Sequence, residues 1–243
     1  MKETDSVRSR VYDRYVTDKM SFERSYDPKD YRDWSRNTYR GLKRWLPADR
    51  DARILDVGCG HGNVLHMLLA NGYRKVEGVD LSAEQLRLAR RVTDAVHQAD
   101  VIEFLFERDK VYDTIIAFDL IEHFEKPDVL RFLEAARHSL VASGHLILQT
   151  PNAASPFGCG HRYHDFTHEV AFDPASLAHV LRLCGLRDIE FAETGPVVHG
   201  VKSAARWVVW NGIRGLLQVW NLAETGRREP ILTRVFRARA RRA

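Results

Sequence analysis

Three glycines stand at alternate positions directly after an apolar segment, at Gly58, Gly60 and Gly62. Residues 54–63 predict a strand that turns sharply into a helix, because glycine lets the backbone turn and leaves room for a ligand to lie against it. Such a ligand also meets the N-terminus of the following helix. The spacing is not the Gly-x-Gly-x-x-Gly of dinucleotide sites, which admits a pyrophosphate. The loop therefore favours a ligand without a pyrophosphate, such as a nucleoside that carries an amino acid, over a tight turn that binds nothing.

Two aspartates near the ends of the next predicted strands strengthen this interpretation. Asp80 lies about 20 residues after the glycine loop, where a carboxylate could accept hydrogen bonds from both hydroxyls of a ribose. The alternative is a charge at a helix N-terminus. Asp100 could accept a hydrogen bond from the exocyclic amine of an adenine, with Val101 packed on the ring, or could simply cap the helix that follows it. Together with the glycine loop, the two carboxylates predict a nucleoside site.

A first cluster of ionisable residues follows the fourth predicted strand and contains Asp119, Glu122 and His123. An open α/β sheet presents its ligands at this end of its strands. Histidine can accept a proton near neutral pH, so His123 is a candidate for a base that activates a hydroxyl group. The alternative is a polar loop beside the bound nucleoside.

A second cluster occupies residues 161–169 and contains His164, Asp165 and His168. This loop could receive a polyhydroxylated molecule, with His164 or His168 as the base and Asp165 orienting a histidine ring. Alternatively, these side chains only tie the loop to the sheet. Neither a Cys-x-x-Cys pair nor a helical pair of histidines accompanies the cluster, so we predict no metal site.

Alternating apolar strands and amphipathic helices must position these residues. The predicted strands of this part are residues 53–57, 76–80, 112–118 and 145–150. Strands that alternate with helices imply parallel pairing through right-handed crossovers. Ser82 and Gln85 predict a capping box at the start of one of these helices. Later in the chain we predict a helix near 174–184 and a strand at 186–192, and residues 231–239 favour an antiparallel strand over a cationic interfacial helix.

Length and composition place the chain among ordinary globular proteins. Its 243 residues suffice for one domain with additions. The three cysteines are few and widely spaced, which indicates a reducing compartment. No stretch reaches the ~20 apolar residues of a membrane-spanning helix, and the first residues lack the apolar core of a signal peptide. We therefore expect a cytoplasmic protein, with peripheral membrane association as an open alternative.

A predicted helical insertion at residues 196–230 separates the last two strands. Its apolar side chains fall on one helical face and comprise Val209, Trp210, Ile213, Leu216, Leu217 and Trp220. This face could pack on its own domain, on a second subunit in a homodimer or, helped by the arginines near the C-terminus, on a membrane surface. No recognised motif for nucleic-acid binding accompanies it, so we expect no nucleic-acid partner.

The order of these motifs resembles that of class I S-adenosylmethionine-dependent methyltransferases. The segments that carry the resemblance are residues 54–63, 79–82, 99–100, 112–116 and 143–148. The resemblance implies a doubly wound α/β fold with a mostly parallel seven-stranded sheet, S-adenosylmethionine as cofactor, and a methionine site at Asp56 and the glycine loop. It also implies that Asp80 binds the ribose and Asp100 the adenine. The complete predicted cofactor site is Asp56, Gly58, Cys59, Gly60, Gly62, Asp80, Leu81, Asp100, Val101 and Phe118.

Two looser resemblances concern the acceptor of the methyl group. Residues 162–177 resemble methyltransferases that occur with enzymes of polysaccharide and glycolipid biosynthesis, which implies O-methylation of a sugar or glycan hydroxyl. Asp119, Glu122 and His123 resemble a triplet that holds a divalent cation in some quinone-intermediate O-methyltransferases, but the first residue of that triplet is glutamate. A quinone-type or other small-molecule methyltransferase is therefore the first alternative, and a non-catalytic cofactor-binding regulator is the second.

The N-terminal segment is the remaining predicted unit. Residues 1–51 are polar and aromatic, and they predict one or two helices that end at Leu46 and Pro47. We expect this segment to form a lid over the cofactor of the domain at 52–243. Tyr15 and Trp34 are candidates for contact with the acceptor.

Overall fold

Seven strands form one sheet in the computed structural model, which describes residues 28–243. The strands are β1 (Arg53–Val57), β2 (Lys75–Asp80), β3 (Val96–Gln98), β4 (Tyr112–Phe118), β5 (Leu140–Pro151), β6 (Leu186–Glu193) and β7 (Val235–Arg242). Their order across the sheet is β3-β2-β1-β4-β5-β7-β6. Strands β1 to β5 pair in parallel, and β7 runs antiparallel to both β5 and β6. The predicted mostly parallel, seven-stranded α/β sheet is confirmed.

Helices join most of the strands. The described helices are α1 (Pro28–Leu42), α2 (Asn63–Ala70), α3 (Ala83–Ala89), α4 (Val101–Phe106), α5 (Lys126–Ser139), α6 (Gly158–Arg162), α7 (Pro174–Leu183) and α8 (Val201–Thr225), and a 3-10 turn occupies Ile121–His123. The prediction that the N-terminal helices end at Pro47 is wrong, because the chain leaves α1 in a turn in which Trp45 N–H donates to the Leu42 carbonyl at 2.7 Å. Residues 1–27, with Tyr15, lie outside the described residues, so the lid at 1–51 stays a prediction.

The central strands bury apolar side chains on both faces of the sheet. On β4, Ile115 belongs to one cluster of buried residues and Ile116 to the other, and on β5 Leu146 and Ile147 divide in the same way. Successive side chains of a strand point to opposite faces, so each strand contributes to two cores. Strands covered on both faces therefore have nearly continuous apolar sequences. This pattern explains why β1 and β4 have the predicted bounds.

The last strand begins later than the sequence predicted. Strand β7 covers Val235–Arg242, whereas the prediction began at Ile231 and ended at Arg239. The Asn152 side chain explains the difference, because its Nδ2 donates to the carbonyl oxygens of Ile231 and Thr233, each at 3.0 Å. Side-chain hydrogen bonds thus take the place of strand pairing here. The interpretation as a strand is confirmed, and that as a cationic helix is wrong.

The predicted capping box at Ser82 is only half formed. Ser82 Oγ accepts the backbone N–H of Gln85 at 3.4 Å, but the Gln85 side chain lines a cleft instead of returning to the Ser82 backbone. A complete box begins α7: Asp173 Oδ1 accepts the N–H of Ser176 at 2.7 Å, and Ser176 Oγ accepts the N–H of Asp173 at 3.0 Å. Ser82 therefore caps the helix as predicted, whereas the Gln85 side chain contributes to the cleft and not to the cap.

Helix α8 lies between β6 and β7, where the insertion was predicted, and its apolar side chains do not share one environment. Trp210 and Leu217 face inward and line a groove of about 320 Å³ beside the beginning of β7. Leu216 and Trp220 are 74% and 63% exposed. No helix among residues 28–243 is long and apolar enough to cross a membrane. Peripheral membrane association and a homodimer through this helix stay predictions.

Candidate functional site

The carboxyl ends of β1, β2, β4 and β5 open into one cleft of about 510 Å³. The predicted cofactor residues that line it are Asp56, Gly58, Cys59, Gly60, Asp80 and Phe118. The residues named for the acceptor that also line it are Trp34, Asp119 and His123. Lining residues that were not predicted as site residues are His61, Asn63, Val64, Ser82, Gln85, Leu120 and Gln149. The main prediction, a site at the strand ends around the glycine loop, therefore coincides with an actual cleft.

The three glycines of the loop share a left-handed backbone conformation but differ in their packing. All three have positive φ, at 67° for Gly58, 52° for Gly60 and 92° for Gly62. A Cβ atom on Gly58 would lie 3.0 Å from the Leu120 side chain. A Cβ on Gly62 would lie 3.2 Å from the Cα atom of Ala89, at the end of α3. Gly62 does not line the cleft, and its observed role is to let α2 begin against α3.

The Asp80 carboxylate is fixed beside the loop by two backbone groups. Its Oδ2 accepts the N–H of Gly60, and its Oδ1 accepts the N–H of Ser82, both at 2.8 Å. Burial raises the pKa of Asp80, while these two hydrogen bonds act in the opposite direction. An ionised carboxylate offers about four lone-pair positions, so acceptor capacity remains for a ligand in the cleft. This geometry suits the predicted contact with two ribose hydroxyls.

Asp56 is buried at the base of the cleft and is 2% exposed. Among the described residues its Oδ2 has no hydrogen-bond partner. Burial, followed by the nearby charge of Asp80, raises the pKa of Asp56 well above its usual range. A buried polar atom without a partner is costly unless a ligand or water satisfies it. The predicted methionine site therefore fits these residues, because the ammonium group of a bound amino acid could satisfy Oδ2.

Four predicted cofactor residues do not line the cleft, and one of them is Gly62. Asp100 caps α4: its Oδ1 accepts the N–H groups of Ile102 at 2.9 Å and Glu103 at 3.3 Å. Val101 is buried in a core cluster, and Leu81 is 44% exposed. The structure thus shows the helix cap that was the alternative for Asp100, and adenine binding by Asp100 and Val101 stays a prediction.

His123 ends the 3-10 turn after β4, and a hydrogen-bonded chain fixes its ring. Its Nδ1 lies 2.8 Å from Thr167 Oγ1 and 3.3 Å from the Thr167 carbonyl oxygen. The Thr167 hydroxyl donates to Asp165 Oδ1 at 2.7 Å. Because that hydroxyl gives its own hydrogen to Asp165, it must accept from His123, so Nδ1 carries the proton and Nε2 is the basic nitrogen. Asp165 is thus linked through Thr167 to the ring of His123, whereas the sequence had paired it with His164 or His168.

The other two predicted histidines lie in different surroundings. The His168 ring packs against that of His123, with centroids 4.7 Å apart, and its Nδ1 is 3.2 Å from the Arg162 carbonyl oxygen. His164 is exposed and does not line the cleft. The structure therefore brings His123 and His168 together and leaves His164 at the surface.

Glu122 joins this histidine pair. Single ligand atoms from Glu122, His123 and His168 all lie within 4.8 Å of one another. This group differs from the triplet that resembles a cation site in the sequence, because it contains His168 in place of Asp119. Such a group could hold a divalent cation, which the sequence did not predict.

Two neighbouring carboxyl groups, the exposed Asp119 and the buried Glu122, hold protons more tightly at this end of the cleft than they would in water. Desolvation at the cleft wall raises the pKa of Asp119 to about 6, against the hydrogen bond from Gln149 and the charge of Arg237. Burial and the neighbouring Asp119 raise the pKa of Glu122 to about 8. Thr150 Oγ1 donates to Glu122 Oε2 at 3.0 Å. Shifts of this kind are common at functional sites.

A buried arginine supports this edge from β7. Arg237 Nε donates to Gln149 Oε1 at 2.9 Å, and Gln149 Nε2 donates to Asp119 Oδ2 at 3.0 Å. The Arg237 guanidinium also lies 5.3 Å from the centre of the Phe118 ring. Three neighbouring strands thus share one hydrogen-bonded chain. No local pattern indicated this chain of contacts, because Arg237 is one of many arginines near the C-terminus.

Comparison with known proteins adds a family and several relatives. The model of the methyltransferase domain family matches residues 26–191. The ubiquinone biosynthesis O-methyltransferase of Xylella fastidiosa strain 9a5c is 31% identical over 158 residues, which cover 56% of this chain and 61% of that protein. The cyclopropane-fatty-acyl-phospholipid synthase of Escherichia coli K12 is 26% identical over 98 residues, covering 40% of this chain and 26% of the synthase. The chain thus spans about three fifths of the length of the first of these relatives.

Solved structures share the fold at low sequence identity. An S-adenosylmethionine-dependent methyltransferase from Archaeoglobus fulgidus has a TM-score of 0.64 and 21% identity, with 88% of this chain and 97% of that chain covered. The phosphoethanolamine N-methyltransferase 2 of Haemonchus contortus, in complex with S-adenosyl-L-methionine, has a TM-score of 0.59 and 16% identity, with 95% and 60% covered. These likenesses confirm the fold.

The family model covers more than half of the chain. It confirms the prediction of a methyltransferase at the level of family, while the resemblance to enzymes of polysaccharide and glycolipid biosynthesis stays a prediction. The chain belongs to the methyltransferase domain family.

Proposed function

We propose that the chain transfers the methyl group of S-adenosylmethionine to a hydroxyl oxygen of a small-molecule acceptor. The observation that carries this proposal is the chain from His123 through Thr167 to Asp165, which places a ring proton on Nδ1 of a cleft-lining histidine and makes Nε2 the nitrogen that can accept another. Methyl transfer to a hydroxyl needs a group that removes the hydroxyl proton, and an oriented histidine is suited to that step at neutral pH.

The glycine loop and two aspartates hold the cofactor in this proposal. Asp56 binds the amino-acid part through its unpartnered oxygen, the backbone from Gly58 to Gly60 lies against the ligand, and Asp80 accepts from the ribose. When bound, the cofactor supplies a methyl group on a positively charged sulfur, which is electrophilic without further activation. The chain therefore has to align the acceptor and exclude water rather than activate the methyl donor.

His123 acts on the acceptor in this proposal. Its Nε2 would take the hydroxyl proton as the methyl group passes to the acceptor oxygen, while the carbon–sulfur bond breaks and its electron pair stays with the sulfur of S-adenosylhomocysteine. The imidazolium that results is stabilised through Thr167 by the Asp165 carboxylate, which holds the ring in the required tautomer throughout. Asp165 and Thr167 are positioning residues, since Thr167 contacts His123, Asp165 contacts Thr167, and neither lines the cleft.

A phenolic hydroxyl is the acceptor that we propose first. The support comes from the relatives named for ubiquinone biosynthesis and from the aromatic side chains of Trp34 and Phe118 that line the cleft. A sugar or glycan hydroxyl is the second candidate, and its support is the resemblance of residues 162–177 to enzymes of glycan biosynthesis.

Release of S-adenosylhomocysteine tests the proposal. The full chain is incubated with S-adenosylmethionine and with catechol-like phenols, sugar nucleotides or glycolipids, and calorimetry measures cofactor binding separately. We expect release with the phenols and an about 10²–10⁴-fold lower rate for His123→Ala at unchanged cofactor affinity. A non-catalytic regulator would bind the cofactor and release no product with any acceptor. Methylation of sugars alone would favour the second candidate.

A further inference from the structure

A second cavity, of about 340 Å³, is connected to the cofactor cleft by a hydrogen bond between two of their lining residues. Helix α1 contributes Thr38 and Gly41 to it, the segment after β6 contributes Thr194 to Val197, and α8 contributes Arg206. Gln149 lines the cleft, and the arginine that it holds, Arg237, lines the cavity. Helix α1 links the two spaces as well, since Trp34 in the cleft and Thr38 in the cavity are one helical turn apart.

Arg237 is buried with most of its hydrogen-bonding capacity unused. The residue is only 9% exposed. A guanidinium has five N–H donors, and within residues 28–243 the hydrogen bond of this one is that from Nε to the neutral amide of Gln149. Burial lowers the pKa of Arg237 to about 10, while Asp119 acts in the opposite direction. A buried charge without a contacting counter-charge is expensive, and a bound anion would relieve this cost.

Glycine at position 41 gives the guanidinium its place against α1. A Cβ atom on Gly41 would lie 2.7 Å from Arg237 Nη1, which no ordinary packing allows. The end of the guanidinium therefore reaches α1 at the wall of the cavity.

The cavity carries an excess of positive charge, because its acidic side chain is paired with a residue outside it. Arg206 lines it, is exposed, and forms no ion pair with a described residue. Glu193 also lines it, but its Oε1 accepts the Leu232 N–H at 2.9 Å and its Oε2 lies 3.4 Å from Arg214 Nε. The acidic side chain is thus already paired, and the two guanidinium groups are not.

We propose that this cavity binds the anionic group, a carboxylate or a phosphate, of the methyl acceptor through Arg237 and Arg206. Guanidinium groups match the paired oxygens of both anions, which is why arginine is common at such sites. The inference rests on the proposed function, because it places the acceptor across Gln149, with its hydroxyl in the cleft and its anion in the cavity.

Paired acceptors that differ by one anion test the inference. The full chain is assayed with catechol and with 3,4-dihydroxybenzoate, and calorimetry with the S-adenosylhomocysteine complex measures binding of 3,4-dihydroxybenzoate and of inorganic phosphate. We expect kcat/KM to be about tenfold or more higher for the carboxylate than for catechol. Arg206→Gln should weaken binding of the carboxylate about tenfold or more, mainly through KM. Stronger binding of phosphate than of the carboxylate would identify a phosphate-bearing acceptor.

The controls separate this inference from the proposed function. Lys202→Gln changes the same charge one turn earlier on α8, at an exposed residue outside the cavity, and should bind as the wild type does. Anion binding by Arg237→Gln is interpreted only if the unfolding curve of this variant stays cooperative. The anion site itself is tested by Arg206→Gln alone. Equal kcat/KM for the two phenols would overturn the anion site and leave the proposed function standing. Anion binding that Arg206→Gln abolishes, without turnover of any phenol, sugar nucleotide or glycolipid, would support the anion site and overturn the proposed function.

Discussion

The Thr167 hydroxyl lies 2.8 Å from Nδ1 of His123 and joins two clusters that are 44 residues apart in the chain. The histidine comes from the turn after β4, while Thr167 and Asp165 come from the loop after α6. Backbone bonds hold the loop in place, because the N–H groups of Glu169 and Val170 both donate to the Glu122 carbonyl. The two clusters therefore form one site in which the second orients the histidine of the first.

Thr167→Val tests this arrangement with a side chain of nearly the same shape. Valine cannot accept from His123 or donate to Asp165, so the ring loses its link to the carboxylate and keeps at Nδ1 only the longer contact, of 3.3 Å, with the backbone carbonyl of residue 167. We expect kcat to fall roughly 10- to 100-fold with no change in cofactor affinity. Thr167→Ser keeps the hydroxyl and should retain most of the activity. If serine and valine lower kcat equally, Thr167 does not act through its hydroxyl.

Asp80→Ala tests the predicted ribose contact. The substitution removes the acceptor of two backbone N–H groups and of the ribose hydroxyls, each charge-assisted bond contributing roughly 1.5–3 kcal/mol. We expect the Kd for S-adenosylmethionine, measured by calorimetry, to rise roughly 10- to 100-fold. Asp94→Asn is the matched control, because this exposed aspartate lies outside the cleft. Equal affinity of Asp80→Ala and the wild type would remove Asp80 from the cofactor site.

The cofactor part of the site could be predicted because its signals are local. Strand, glycine loop and helix follow one another within ten residues, and Asp80 ends the next strand, so position in the sequence already implied position in the fold. Asp100 shows the limit of this reasoning, since a cap and an adenine contact need the same residue type at the same place.

The other half of the site depends on contacts that the sequence does not display. Gln149 and Arg237 meet because β5 and β7 pair in an antiparallel register that places them side by side. A shift of one residue would turn Arg237 to the opposite face of the sheet. Likewise, His164 and His168 share one loop, and only its folded path decides which of them reaches His123. Nothing in the residue types distinguishes the two.

Glu122→Gln should remove a pH dependence of stability. The native pKa of about 8 lies above the ordinary value of 4.5, so the folded chain binds a proton that the unfolded chain releases. The contribution of Glu122 to the free energy of unfolding is fully present below about pH 4.5 and is lost as the pH rises through about 8. The loss is at most about 1.4 kcal/mol per pH unit. Urea unfolding between pH 5 and 8 measures the slope. Glu103→Gln, at an exposed glutamate of α4, should keep the wild-type slope, and an unchanged slope in Glu122→Gln would contradict the burial argument.

Gly62 and Gly72 offer a matched pair for the packing of the glycine loop. Their φ angles are 92° and 88°, so alanine at either position must adopt the left-handed conformation, at about 1–2 kcal/mol. The surroundings differ, because a Cβ on Gly72 would have no neighbour within 4 Å, whereas one on Gly62 would lie 3.2 Å from the Ala89 backbone.

Gly62→Ala should therefore cost more than Gly72→Ala by about 1–3 kcal/mol, the usual range for overpacking a filled site. Denaturant unfolding at one pH measures both variants. The extra cost exists only if α2 and α3 cannot move apart, and moving them would displace Gly60 and Asp80 at the cleft. A small stability difference together with weaker cofactor binding in Gly62→Ala would mean that the helices yield and the cleft deforms. A small difference with unchanged binding would contradict the role of Gly62 in fixing the loop.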